Sequence, residues 1–177
     1  MAEQSTSGTG TTPSISASVA VTTTSKSGQA EQIISSTARY AAGVGAVVSF
    51  VPMPLVDIAA VGALQWKMVK DLAEVSGTSF KGNRGKAVVG AALGALLPAR
   101  LGFGGVGYAL STIPGGSIIG LATVPAFNYA STVAVGRVFH KHFASGGTLL
   151  NFDVDSMRDD LLSEYKKASD KYRPARA

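Results

Sequence analysis

Apolar and polar positions fall in blocks along this chain. Residues 40–68, YAAGVGAVVSFVPMPLVDIAAVGALQWKM, are almost wholly apolar, are broken at their centre by Pro52 and Pro54, and carry one acid, Asp57, just past the break. A first helix is expected over about 30–50. Prolines lack an amide donor and restrict the residue before them, so the helix breaks there. A second helix fits 55–75, where Leu55, Ile58, Ala59, Gly62, Trp66, Val69, Leu72 and Ala73 share one face. Lys67 with Asp71 and Lys70 with Glu74 form i,i+4 pairs on its wet side, and Gly77 supplies the stop. The two helices make a hairpin turning at 51–54.

A third apolar segment, 87–99, carries Gly90 and Gly94 in a small-xxx-small arrangement. Asn83 or Thr78 is the expected cap; Pro98 and Arg100 end or bend the segment. Residues 101–136 then run for 36 positions without a formal charge. A membrane helix needs about 20 apolar residues, so this run has room for one span and a turn. Ile113-Pro114-Gly115-Gly116 is the turn signal. A last apolar helix is expected over 117–143, with Pro125 as a kink, a further small pair in Gly116 and Gly120, and Gly146-Gly147 as the stop.

The character changes beyond Asn151. Asp155 or Ser156 is placed to cap a helix with Asp159 and Asp160 in its first turn and Lys166, Lys167 and Lys171 toward its end, signs that suit the macrodipole. Met157, Leu161, Leu162, Tyr165 and Tyr172 form its apolar stripe. This is a surface helix, docked on the body or lying at an interface. At the other end, residues 1–28 hold fourteen Ser or Thr and almost nothing that packs. They read as a disordered tail. No positive start leads into an apolar stretch, as a secretory signal requires, and the absence of Arg before Arg39 argues against a transit peptide. The expected fold is all-α: a disordered tail over 1–29, a domain of two Gly/Pro-rich apolar hairpins over 30–150, and a C-terminal amphipathic helix with its tail over 151–177.

Composition moves this picture toward lipid. Apolar residues make up 46% and charged residues 15%, against roughly 25% charged in ordinary soluble domains. The 21 glycines sit mostly inside apolar runs, where membrane helices use small residues to approach one another. The net charge of +5 favours an anionic partner. No Lys/Arg run carries interleaved aromatics, so that partner is an inner leaflet and not nucleic acid. Absence of cysteine removes disulfides and thiol chemistry. Arg39, the 67–86 connection and the Arg137/Lys141 pair flank the apolar runs. Hairpins that dip into or cross a bilayer place these basic groups on its cytoplasmic side. Arg100, near the inner end of the second hairpin, is the exception.

Candidate chemistry is sparse. Asp57 shares a helix column with Val61, Leu64 and Met68, so it needs a cation, amide donors or a proton; Arg100 and Arg137 are the candidate cations. A proton or ion site is one reading. An acid favoured by the positive end of the second helix is the better one. His140 and His142 in FHKHF point to different faces with no acid to complete a metal set, and read as an interfacial pair. KGNRGKA at 81–87 misses the spacing of a phosphate loop and follows no strand. No nucleophile–base or paired-carboxylate constellation is present, so neither catalysis, cofactor nor metal is expected.

PMPLVD at 52–57, LQWKMVKDLAEVSG at 64–77, IPGG at 113–116 and STVAVGRVFHKHFASGGTL at 131–149, with the closing helix, together resemble one family. It is the domain of unknown function shared by YcjF-like bacterial membrane proteins, which also follows Era-like or dynamin-like GTPase domains in longer chains. The likeness spans about 35–171. By this resemblance Pro52, Pro54, Asp57, Gln65, Met68, Pro114, Gly136 and Arg137 occupy the family's motif positions. Ser76-Gly77 departs from the family's frequent Tyr-Gly. The resemblance implies a helical, membrane-associated module without settled chemistry, often working beside a GTPase, which here would be a separate partner. The expected function is therefore a small membrane module that self-associates or recruits such a partner, with its helices packed through Gly43, Gly45, Gly90, Gly94, Gly116 and Gly120. A soluble or amphitropic scaffold, and a pore lined by Asp57 and Arg137, are the alternatives.

Overall fold

The computed structural model describes the backbone of residues 15–48, 54–80, 82–111 and 117–172, and within these the side chains of 22–46, 59–80, 82–98 and 124–172. The described residues are all helix and connection: α1 (Ile15–Val48), α2 (Pro54–Ser76), α3 (Gly82–Ser111), α4 (Ser117–Ala144) and α5 (Arg158–Lys171).

Helix α4 is the axle. Residues 130–136 are buried without interruption, so every face of this stretch is covered, the condition under which a helix shows no polar side. α1, α2, α3 and α5 all pack on it. Their directions follow from their partners. Ile34 lies against Gly136 while Gly45 lies against Pro125, so α1 runs antiparallel to α4. Gln65 meets Ser131 and Thr132, and Met68 meets Gly136, so α2 runs parallel to it. α3 opposes α2, with Leu93 nearest Gly62 and Lys86 over the Trp66 ring. α5 opposes α4 through Lys141–Asp160, Arg137–Glu164 and Tyr129–Tyr172. One end of the bundle, the tip, therefore holds both the α1-to-α2 and the α3-to-α4 crossings. The opposite end, the base, holds the other two connections.

The core runs from Ile34, Met68 and Leu72 through Leu96 to Phe139 and Leu161, all fully buried. Phe139 stacks on Phe152 of the α4–α5 connection with ring centroids 4.1 Å apart. Both base connections open with the same helix stop. Thr78 N–H donates to the Ala73 carbonyl and Gly77 N–H to that of Glu74; Gly147 and Gly146 repeat this with His142 and Phe143. Gly77 and Gly146 have φ of 75° and 85°, the left-handed conformation that such a stop requires.

Several boundaries differ from those expected. α1 begins at Ile15, not near Ala30. Residues 22–29 are all exposed, and Ala30 is the first buried position, so apolar patterning marks where packing starts and not where helix starts. α3 continues through Pro98 to Ser111. Pro98 is exposed between the buried Leu93 and Leu96 and the turns that follow. One missing amide bond does not end a helix whose other face is held by packing. Asn83 sits inside α3 rather than ahead of it, and Thr78 is committed to the α2 stop. α5 starts at Arg158 with Met157 as its N-cap and no side-chain cap. Asp153 and Ser156 instead order the preceding loop, Asp153 accepting from Asp155 N–H and Ser156 donating to the Asp153 carbonyl. α2 and α4 keep their expected limits to within a residue, Pro125 lying inside α4. Pro52, Pro114 and Gly116 lie outside the described residues, as do the side chains of Pro54, Asp57, Arg100 and Gly120.

Among the described residues no helix is long and apolar enough to cross a membrane. The expected span within 101–136 is not found among the described residues, and the last seven positions of that run, 130–136, are the all-round buried part of α4, sheathed in protein.

Candidate functional site

Four of the sequence-selected residues, Gln65, Met68, Gly136 and Arg137, meet where α1, α2 and α4 come closest. A Cβ built on Gly136 would lie 2.7 Å from Ile34 Cγ1 and 3.1 Å from Met68 Cε, so glycine is what lets the three helices close. One turn toward the tip, the fully buried Gln65 donates from Nε2 to Ser131 Oγ (3.4 Å) and Thr132 Oγ1 (3.3 Å), while its Oε1 has no partner among the described residues. Facing outward at the same level, Arg137 donates to Glu31 (3.3 Å) and to Glu164 (3.3 Å), tying α1 and α5 to α4. Partial burial works against its charge, but the bonds and charges of Glu31 and then Glu164 outweigh it and raise the guanidinium pKa. Glu164 also accepts from Lys167 at 2.7 Å. That bond, with Arg137, lowers its carboxyl pKa against the effect of burial.

This junction corrects the pairing of Asp57 with Arg137. Arg137 is engaged by Glu31 and Glu164, and its neighbour Gly136 faces Met68, eleven residues along α2 from Asp57. At 1.5 Å per residue that is about 17 Å. His142 is also not interfacial. It is buried, with Nε2 within 3.0 Å of the Thr148 carbonyl and 3.2 Å of Asn151 Oδ1, and its ring is edge-on to Phe152. It closes the α4–α5 turn, where Gly147 leaves room for the ring. No group of three metal-ligating side chains occurs among the described residues.

The glycines divide. Gly45 is a close approach: an added Cβ would come within 2.7 Å of Asn128 Nδ2 and 3.2 Å of the Pro125 backbone. Gly43, Gly90 and Gly94 face open space, with nothing within 4 Å of such a Cβ.

The tip is the second feature. Over 41–46, 59–64, 90–98 and 124–128 the exposed residues are Gly43, Ala46, Ala59, Ala63, Gly90, Ala91 and Pro98, and the single polar side chain, Asn128, is buried. On the base side, by contrast, Lys67, Lys70, Glu74, Arg84, Lys86 and Lys141 are exposed. The described side chains are thus polarised along the axis of the bundle. Residues 16–122 match the family described as Domain of unknown function (DUF697). The chain belongs to this family. It is also 37% identical over 124 residues to Magnetosome membrane protein 22 of Magnetospirillum gryphiswaldense, an alignment covering 67% of this chain and 62% of that protein. The chain thus spans about three-fifths of the length of the curated relative it matches. No solved structure matches it.

The family segment covers the described parts of α1, α2 and α3 and the first turns of α4, so it contains both hairpin crossings but not Gly136 or Arg137. Sequence reasoning missed Glu31 and Glu164, the partners of Arg137, because 106 and 27 residues separate them from it and no local spacing links them. It also missed the polar layer of Asn128, Ser131 and Thr132, which lies inside an apolar run. The signal there was present: three adjacent-turn polar residues in a charge-free helix call for a polar partner, and Gln65 is the amide that faces them.

Proposed function

We propose that this chain is a small membrane-associated helical module that docks on a bilayer by its tip and has no catalytic activity of its own. One observation carries this reading: among the described residues the tip exposes no polar side chain. An end of a helical bundle that offers water no polar side chain is ordinarily covered by something. The name of the magnetosome membrane relative and the deficit of charge support lipid as the cover. At 1.5 Å per residue, the part of α4 tipward of Tyr129 extends about 18 Å and that of α1 about 12 Å. The α1 and α4 lengths suit one leaflet of a hydrocarbon core roughly 30 Å thick, while α3 from Ala91 to Ser111 extends about 30 Å. Insertion from one side is favoured by the chain's path, since α1 and α3 run toward the tip and α2 and α4 run back from it. The charged base then stays in water, on the cytoplasmic side by the bias of Lys and Arg.

The docked module serves self-association or recruitment of a partner, a GTPase being the partner class that the family resemblance implies. The open Gly43, Gly90 and Gly94 support self-association, since they leave room for a second copy to approach. Gly90→Leu should then shrink the detergent-extracted assembly. Unchanged size would remove these glycines from the argument.

Sequential extraction of membranes tests the docking. High salt weakens electrostatic attachment; apolar insertion resists both salt and alkaline carbonate. Retention until detergent is the expected result. Release by salt or carbonate would overturn tip insertion and favour the scaffold reading, for which the protein-sheathed α4 is the supporting observation.

A further inference from the structure

Resting on that reading, we propose that the membrane surface crosses the bundle at the height of Tyr40, Tyr129 and Tyr172, where Arg39 and Lys171 bind the headgroups of anionic phospholipids. The pairing of Ile34 with Gly136 and of Gly45 with Pro125 brackets Arg39 and Tyr40 on α1 and sets them level with about residue 131 of α4. Tyr129 is within a turn of that height, and Tyr172 packs on it with ring centroids 5.2 Å apart. Lys171 adjoins Tyr172, and α5 ends there. Tipward of this level four helices continue without an exposed polar group among the described residues; baseward five helices carry exposed charges.

Three observations coincide at this height. Tyr40 is 73% exposed, an unusual position for a large ring unless its apolar body and polar hydroxyl face different media. Tyrosine at the boundary of an apolar band marks a membrane–water interface. Arg39 and Lys171 are exposed and have no carboxylate partner among the described residues; Lys26, Arg84, Lys86, Arg158 and Lys166 share this farther toward the base, so what sets the first two apart is their place at the edge of the uncharged tip. α1 and α5 lie on different flanks of α4, so the two cations reach separate headgroups. Each is worth about 1 kcal/mol at an anionic surface, close to a fivefold change in partition.

The test is flotation of the full chain with vesicles of phosphatidylcholine alone and of phosphatidylcholine mixed with phosphatidylglycerol. Binding to both is expected, with a preference for the mixture that falls about fivefold in Arg39→Gln and again in Lys171→Gln and is unaltered in Lys26→Gln, an exposed cation about 21 Å from Tyr40 toward the base along α1. The chain has no cysteine, so Gly43→Cys, Tyr40→Cys and Lys26→Cys, at three heights along α1, can each carry a polarity-sensitive fluorophore. The emission should report hydrocarbon, interface and water in that order. Binding to both vesicle types with equal strength, or variants with an unchanged preference, would overturn the headgroup belt and leave tip insertion standing. No binding to either vesicle would sink tip insertion itself, and the belt with it.

Discussion

Gly136→Ala tests whether the α1–α2–α4 junction is built as described, because its effect on stability should change sign with the residue facing it. In the native background the new methyl lies 2.7 Å from Ile34 Cγ1, and 3.1 Å from both Ile34 Cγ2 and Met68 Cε. Carbon atoms pack at about 3.5–4.0 Å. Ile34 and Met68 are each 1% exposed and have nowhere to retreat, so α1 must back away from α4. Overpacking of this kind costs about 1–3 kcal/mol, offset by about 1 kcal/mol from exchanging a mid-helix glycine for alanine. The net loss should be about 1 kcal/mol and no more than about 2, or roughly 2–4 °C in Tm at about 2–4 °C per kcal/mol for a chain of this size. Ile34→Ala alone should cost about 2–5 kcal/mol by leaving a cavity. In that background both opposing Cγ atoms are gone, and Gly136→Ala should become neutral to stabilising by about 1 kcal/mol. Thermal and urea unfolding followed by circular dichroism in mild detergent give the four stabilities of the cycle. Equal destabilisation by Gly136→Ala in both backgrounds would refute the close approach.

Other substitutions probe neighbouring contacts. Glu164 has a carboxyl pKa below its ordinary value, first through Lys167 and then through Arg137. Its ionised form thus stabilises the fold above the ordinary carboxylate value, and this contribution is lost as pH falls through the lowered one; Glu164→Gln should flatten that acidic limb of a stability–pH profile. Gln65→Leu should change stability by no more than about 1 kcal/mol, because Gln65 Oε1 is already unpartnered and the Ser131 hydroxyl keeps its bond to the Asn128 carbonyl. Gln65→Glu should cost about 3 kcal/mol or more by burying a charge, read as a lower urea midpoint. Gly147→Ala drives a methyl into the His142 ring, which Thr148 and Asn151 hold in place. A loss of about 1–3 kcal/mol is expected, with exchange-protection loss confined to the α4–α5 turn.

Much of the fold was legible because its signals are local. Pro54 at the start of α2, the glycines at 77 and 146, and the stripe of α5 each act through backbone geometry or helical period within a few residues. The start of α1 was not legible: residues 22–29 are helical without burying anything, so they leave no apolar trace. Of the two outcomes expected at Pro98, an end or a bend, the end does not occur, because the cost of the proline depends on whether the surrounding helix is held from another side, a tertiary fact. Arg137 was picked out but assigned the wrong partner. An apolar neighbourhood draws attention to the acid nearest in pattern, Asp57, whereas the real partners come from α1 and α5.

The charge-free run from 101 to 136 shows why composition alone could not separate lipid from protein as the solvent of a helix. A helix surrounded on every side by other helices loses its polar face for the same reason as one surrounded by acyl chains: neither environment hydrates a charge. The two cases differ in what the neighbours do. Around 130–136 they bring Ile34, Met68, Phe139 and the amide of Gln65, a polar group useful only where Ser131 and Thr132 await it. Toward the tip the described residues that reach the exposed surface are glycine, alanine and proline, which offer no polar side chain to hydrate. One continuous apolar stretch thus passes from a protein core into a surface unsuited to water. The tyrosines and unpaired cations stand at the height where that change occurs.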